Sequence, residues 1–243
     1  SDTADTQRMA HKERLEREAR RAREQEPSIP PISARISPLL EDKRESTGQT
    51  WFSSLVELSR GEEGRSWRYN VEPYVDQLPG WPDLGDKERQ ILLGVAERYL
   101  VEVDPQIDDW IDKHTLRNVP LAFNGYRALL LLHRQAPDRL DQLGREIWES
   151  WGPVAIDYPG SSGERDEDPC RELARIAFAR AGDQVIEVMG RLIRRDDHPR
   201  QPLFCLNGIL VICDSKVDET LYCLLNEGDL CGSSRGQLLG VLL

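Results

Sequence analysis

An all-α chain of antiparallel helix pairs is predicted here by three observations. Two helical patterns lie back to back between Val119 and Trp151, parted only by Gln135-Ala136-Pro137-Asp138. The first is apolar nearly all round through Leu121, Ala122, Phe123, Tyr126, Ala128 and Leu129 to Leu132, which predicts burial on most sides. The second shows a single stripe at helical spacing: Leu140, Leu143, Ile147, Trp148 and Trp151. Prolines recur at helix starts, at Pro105, Pro120, Pro137 and Pro169, where the missing N–H costs nothing. Helix pairs are expected to begin near residues 85, 119, 169 and 202, with a further one near 231.

The intervals between those starts, roughly 30–50 residues, cover the range of HEAT- and armadillo-type repeats. The expected architecture is therefore an irregular α-solenoid, HEAT/armadillo-like, in which each pair contacts mainly its neighbours. No strict repeat signature accompanies it.

Taken in order, residues 1–10 are expected to be disordered. Residues 11–26 predict a charged helix, with Glu13–Arg17 and Glu16–Arg20 at i,i+4 spacing. Across residues 1–26 basic and acidic side chains balance, which favours a solvated helix over a basic arm for nucleic acid. Residues 27–50 hold Pro27, Pro30, Pro31 and Pro38 and read as a Pro-rich linker, with Ile32, Ile36, Leu39 and Leu40 able to dock. Residues 51–60 form an amphipathic helix led by Trp51 and Phe52. Residues 65–84 mix Trp67, Tyr69, Tyr74 and Trp81 with prolines and are expected to close one end of the core.

Ile91, Leu92, Val95, Ala96, Tyr99 and Leu100 predict a helix from Gly85 onward, capped by Asp86. Asp104-Pro105 starts the next. Residues 152–168 read as a flexible loop, mobile around Gly160 to Asp166. A helix after Pro169 ends at Gly182-Asp183, and its successor buries Val185, Val188, Met189, Leu192 and Ile193. Residues 203–213 look like a second all-apolar helix, and Lys216 to Asn226 is amphipathic. The expected division is 1–50, charged helix and linker, then 51–243, the helical-repeat domain, with units at 81–151 and 169–243. The run Leu238 to Leu243 has nothing evident to bury against. Both ends are therefore expected to be cuts in a longer chain, or the C-terminal end to self-associate.

Composition narrows the partners. The 243 residues carry a formal net charge of −11, with 39% hydrophobic and 31% charged residues. Such a field disfavours nucleic acid, whose binding requires neutralised phosphates. No apolar run is long enough to span a membrane. The odd cysteine count, Cys170, Cys205, Cys213, Cys223 and Cys231, without a CxxC, argues against a disulfide framework and for a reducing, cytoplasmic setting. All five are expected to be small core residues.

No residue pattern carries recognisable catalysis. Asp196-Asp197-His198 is the one metal-like cluster, and adjacent loop side chains rarely converge on one ion, so a solvated loop is expected. Gly160-Ser161-Ser162-Gly163 follows no strand and is not a phosphate cradle. Asp108-Asp109 and Glu62-Glu63 lie on exposed stretches. Arg191, Arg194, Arg195 and Arg200 cluster at a helix end, a favourable placement against the helix dipole, with an acidic-ligand site as the minor alternative. Catalytic, cofactor-binding and metal residues are thus expected to be none, and the chain not an enzyme.

Leu78-Pro79-Gly80-Trp81, followed by Arg89, Ala96, Arg98-Tyr99-Leu100 and Trp110, and Gly125-Tyr126-Arg127-Ala128-Leu129, followed by Trp148 and Trp151, carry a resemblance. Over about residues 65–155 the chain resembles the helical-repeat region of large bacterial NACHT/STAND-type NTPases of defence and signalling. The resemblance implies a sensor or scaffold segment that binds protein partners, with the nucleotide site elsewhere in the parent chain. The alternative is a stand-alone adaptor or regulatory protein, a proteolytic substrate in a defence system.

Overall fold

The computed structural model describes residues 30–41, 45–60, 72–113, 116–157, 167–199, 202–203, 205–210, 212 and 214–242. Ile32–Leu243 form one compact unit. The expected charged helix at 11–26, the expected disorder of 1–10 and the loop at Gly160 to Asp166 lie outside the described residues. Every regular element among the described residues is helical.

The stretch expected to be a linker contains one helix and the first turn of a second. Helix α1, Ile32–Glu41, buries Ile32 and Ile36 and packs on α2 and α3. Helix α2, Thr47–Ser59, starts four residues earlier than expected because the Ser46 hydroxyl accepts from the Gln49 N–H and supplies the N-cap. Helix α3, Asp86–Glu102, begins where expected, but its N-cap is Gly85 and Asp86 is already helical. A short helix α4 spans Ile107–Trp110. It starts two residues late because the Asp104 carboxylate accepts from the Gln106 N–H and holds Gln106 left-handed, at φ 50°.

Helix α5, Pro120–Gln135, is the hub. It touches α3, α7, α8 and the 3₁₀ turns Val75–Gln77 and Leu116–Asn118, and residues 122–132 are all buried. The stripe expected at 138–151 forms two helices: α6, Pro137–Asp141, and α7, Arg145–Ile156. Gly144 breaks them apart and N-caps α7. Helix α7 also runs through Pro153 to Ile156, so residues 152–156, expected as loop, are helical and buried.

Helix α8, Glu167–Asp196, kinks at Ala181 (φ −144°, ψ 45°), next to the break expected at Gly182. It packs along α7, the most extensive helix contact among the described residues. Among the described residues of 203–213, expected as a second all-apolar helix, a single turn, α9, Leu206–Ile209, is helical. Helix α10, Ser215–Glu227, is capped by Asp214, whose carboxylate accepts from the Lys216 N–H, and it ends at left-handed Gly228. Helix α11, Gly232–Leu242, packs on α10. Leu238 is fully buried there and Val241 and Leu242 pack against the core, so part of the apolar run finds cover within the chain.

Candidate interaction surface

The interior holds two differently built junctions, and together they show what the surface is left to do. The first is aromatic. The Trp151 ring lies directly on Gly125, where a Cβ would stand 1.9 Å from Cζ3. Its indole N–H donates to the Leu100 carbonyl at 2.9 Å, one of the carbonyls that the end of α3 leaves without a helical partner. Trp51 donates to the Asn124 carbonyl at 3.0 Å and Tyr99 to the Leu121 carbonyl at 2.9 Å. The Tyr99 ring sits between the two indoles, with centroids 6.3 Å and 6.0 Å away. Three rings thus bind α2, α3, α5 and α7 into one block.

Arg127 sits inside this block, buried in mid-helix. Its Nε and Nη2 donate to the Glu72 carbonyl at 2.9 and 2.7 Å, and its guanidinium lies over the Phe123 ring. The sequence offers a signal for its burial: within the run 121–132, apolar but for Asn124 and Arg127, a charge requires an internal partner. Gly80 approaches α2 closely, its N–H donating to the Leu58 carbonyl at 2.8 Å. Arg89 covers the Trp81 ring.

The second junction is ionic. Arg195 and Asp157 are buried, with side chains 6% and 3% exposed. The guanidinium donates to both Asp157 oxygens at 2.8 and 2.9 Å, and to Asp196 at 2.9 Å. The remaining acceptor capacity is also used. Leu116 N–H donates to Asp157, and Cys205 N–H to Asp196. Burial pushes the Asp157 carboxyl up, and Arg195 pulls against it. Burial also works against the charge on Arg195, but its carboxylate partners hold it protonated more firmly than usual. Burial, followed by the adjacent carboxylates, raises the Cys205 thiol, the opposite of what a nucleophile requires.

These positions correct two expectations. Asp196 and Asp197 are not a solvated loop. Asp196 is buried in the ionic junction, and the Asp197 carboxylate accepts from Cys231 N–H at 3.1 Å, at the start of α11. Burial opposes the Asp197 charge, and the hydrogen bonds from Cys231 and Ser234 outweigh it and lower its pKa. The arginines at the end of α8 are engaged by carboxylates, beyond any dipole effect. Arg191 donates to Asp108 and Asp112 at 2.6–2.9 Å, and Arg194 pairs with Glu227. Asp108 thus has a structural partner. Arg200, Glu62, Glu63 and the Gly160–Gly163 segment lie outside the described residues. Among the described residues, no group of three or more His, Cys, Asp or Glu side chains is placed to hold a metal ion.

Among the cysteines, Cys170 and Cys205 are buried, Cys231 is half-buried and Cys223 is exposed, so Cys223 is not the core residue expected. Cys213 lies outside the described residues.

A few large apolar side chains also remain on the surface, among many charged ones. Large exposed apolar side chains among the described residues are Phe52, Val101, Leu210, Tyr222 and Leu239. Three of these five lie between residues 210 and 239, which makes the C-terminal segment the candidate interaction surface. Tyr222 is 63% exposed on α10, and Leu239 49% exposed on α11. Along α11 no atom lies within 4 Å of a Cβ built at Gly232, Gly236 or Gly240, so that side of the helix is smooth and open. No described helix is long and apolar enough to cross a membrane. Comparison with protein-family models, curated proteins and solved structures finds no match to this chain.

Proposed function

We infer that this chain is a protein-interaction scaffold: an irregular, HEAT-like α-solenoid of helix pairs, serving as a sensor or scaffold segment of a larger bacterial defence or signalling protein, without catalysis of its own. The solenoid reading is supported by the packing order, in which α2, α3, α5, α7, α8, α10 and α11 each pack on the next. The residues that carry the resemblance to the NACHT/STAND repeat region build the aromatic block: Tyr99, Gly125, Arg127 and Trp151.

One observation carries the binding reading. The charged side chains of the ionic junction and of the outer end of α8 bond to other helices, while Tyr222 and Leu239 stand in solvent. A face that sets large apolar side chains among exposed charges such as Asp218, Glu219 and Arg235 suits a protein partner. The test is a Tyr222→Glu/Leu239→Glu variant used beside the wild-type chain as bait in lysate of the source cell. The variant should keep the wild-type circular dichroism and melting temperature and lose the partners that the wild type retains. Identical sets of captured proteins refute the reading.

A further inference from the structure

We propose that the described part of residues 203–242 forms a releasable C-terminal unit, held at the end of α8 by a latch of three consecutive side chains, of which Asp196 and Asp197 grip the unit and Arg195 ties the latch to α7; its opening uncovers the apolar seam between α8 and α10. Each latch residue reaches a different element. Arg195 reaches Asp157 at the end of α7, Asp196 the N–H of Cys205 before α9, and Asp197 the N–H of Cys231 before α11. One short stretch of chain therefore fastens three pieces that are otherwise far apart in sequence.

The unit has internal ties of its own. The Gln237 side-chain oxygen accepts from Leu203 N–H at 2.9 Å, closing the segment from its first residues to α11. Helices α10 and α11 pack on each other, and Leu238 is fully buried. Its remaining attachments to the block are of two kinds. Lys216–Asp183 and Arg194–Glu227 are solvent-exposed pairs, which contribute little and are screened by salt. The other kind is close packing: Gly208 lies against the backbone of Ile156, and Leu224 lies near Gly190. Val188 and Leu192 on α8 and Val217 and Leu221 on α10 are buried, and the contact between these two helices is the seam that opening would break.

The block formed by α2, α3, α5 and α7 is different in kind. Its rings donate across up to 73 residues of sequence and are wholly enclosed. Local opening takes place at units that few ties hold to the rest of the fold. The C-terminal unit is tied at the end of α8 by the N–H groups of Cys205 and Cys231 and by exposed ion pairs. The inference concerns the fold alone and stands whether or not Tyr222 and Leu239 bind a partner.

Native-state hydrogen exchange on the intact chain tests it. Amides of 206–210 and 215–242 should exchange together, at least ~10-fold faster than those of 120–132, which open only with global unfolding. Asp197→Asn should speed exchange of both α10 and α11 by about tenfold and leave 86–156 within about twofold of wild type. Gly208→Ala places a Cβ 2.5 Å from the Ile156 carbonyl oxygen and should have the same effect from the opposite side. Wild-type exchange of the C-terminal segment at the same rate as 120–132 overturns the proposal. So does acceleration confined to the first turn of α11, or spread equally over the whole chain.

Discussion

Replacing one glycine by alanine should have opposite effects at two places in this chain. Alanine is the better helix former by about 1 kcal/mol in a helix interior. At Gly125 that gain meets the Trp151 ring, whose Cζ3, Cη2 and Cε3 atoms would lie 1.9, 2.2 and 2.7 Å from the new Cβ. Ordinary carbon contacts need 3.5–4.0 Å, so the ring must move by about 1.5–2 Å. It has little room to do so. It is fully buried, bonded to the Leu100 carbonyl and flanked by Tyr99. Overpacking of this kind costs about 1–3 kcal/mol, and a displaced indole hydrogen bond about 1–3 more. Net of the propensity gain, Gly125→Ala should destabilise by about 1–5 kcal/mol. For a chain of this size, that lowers Tm by about 2–20 °C. Gly236, with nothing within 4 Å of its Cβ position, should show the propensity term alone. Gly236→Ala should stabilise by up to ~1 kcal/mol. Urea unfolding followed by tryptophan fluorescence and circular dichroism measures both. In a Trp151→Phe background the penalty at Gly125 should shrink. If Gly125→Ala unfolds at or above the wild-type midpoint, Trp151 does not rest on Gly125 and the aromatic junction is wrong.

Two further substitutions separate surface charge from buried charge. Arg191→Ala removes the exposed pairs to Asp108 and Asp112 and should cost no more than about 1 kcal/mol, less at high salt. The Arg191 hydrogen bond holds the Asp112 carboxyl below its ordinary 3.8. A lowered carboxylate stabilises the fold above its unfolded pKa, so this small contribution should be complete above pH 3.8 and fade as pH falls below it. Urea midpoints that differ between wild type and variant by the same amount at pH 7 and pH 3 contradict the pairing. Arg195→Ala should be far more costly, about 3–5 kcal/mol, because it strands the buried carboxylates of Asp157 and Asp196. A thermal melt within 2 °C of wild type would show that the junction is not enclosed.

Local pattern was enough to read the all-helical character, the starts at Pro120 and Pro137, the buried core of 122–132 and a break beside Gly182, because these follow from helical periodicity, proline geometry and glycine. The short apolar run at 203–213 misled for the same reason: hydrophobicity does not distinguish a buried helix from a buried irregular segment of that length. Tertiary structure decided the rest. Arg127, Asp157, Arg195, Asp196 and Asp197 look like ordinary charged residues in sequence. Their places in the fold depend on partners 9 to 55 positions away, at Cys205, Asp157, Cys231, Leu116 and Glu72. A charge can be enclosed only when distant chain supplies its counter-charge or hydrogen bonds, and no local pattern records where the chain will return. Likewise, Gly125 and Gly236 are equivalent as letters. The indole of Trp151, arriving from another helix, makes one of them indispensable, and open solvent leaves the other free to change.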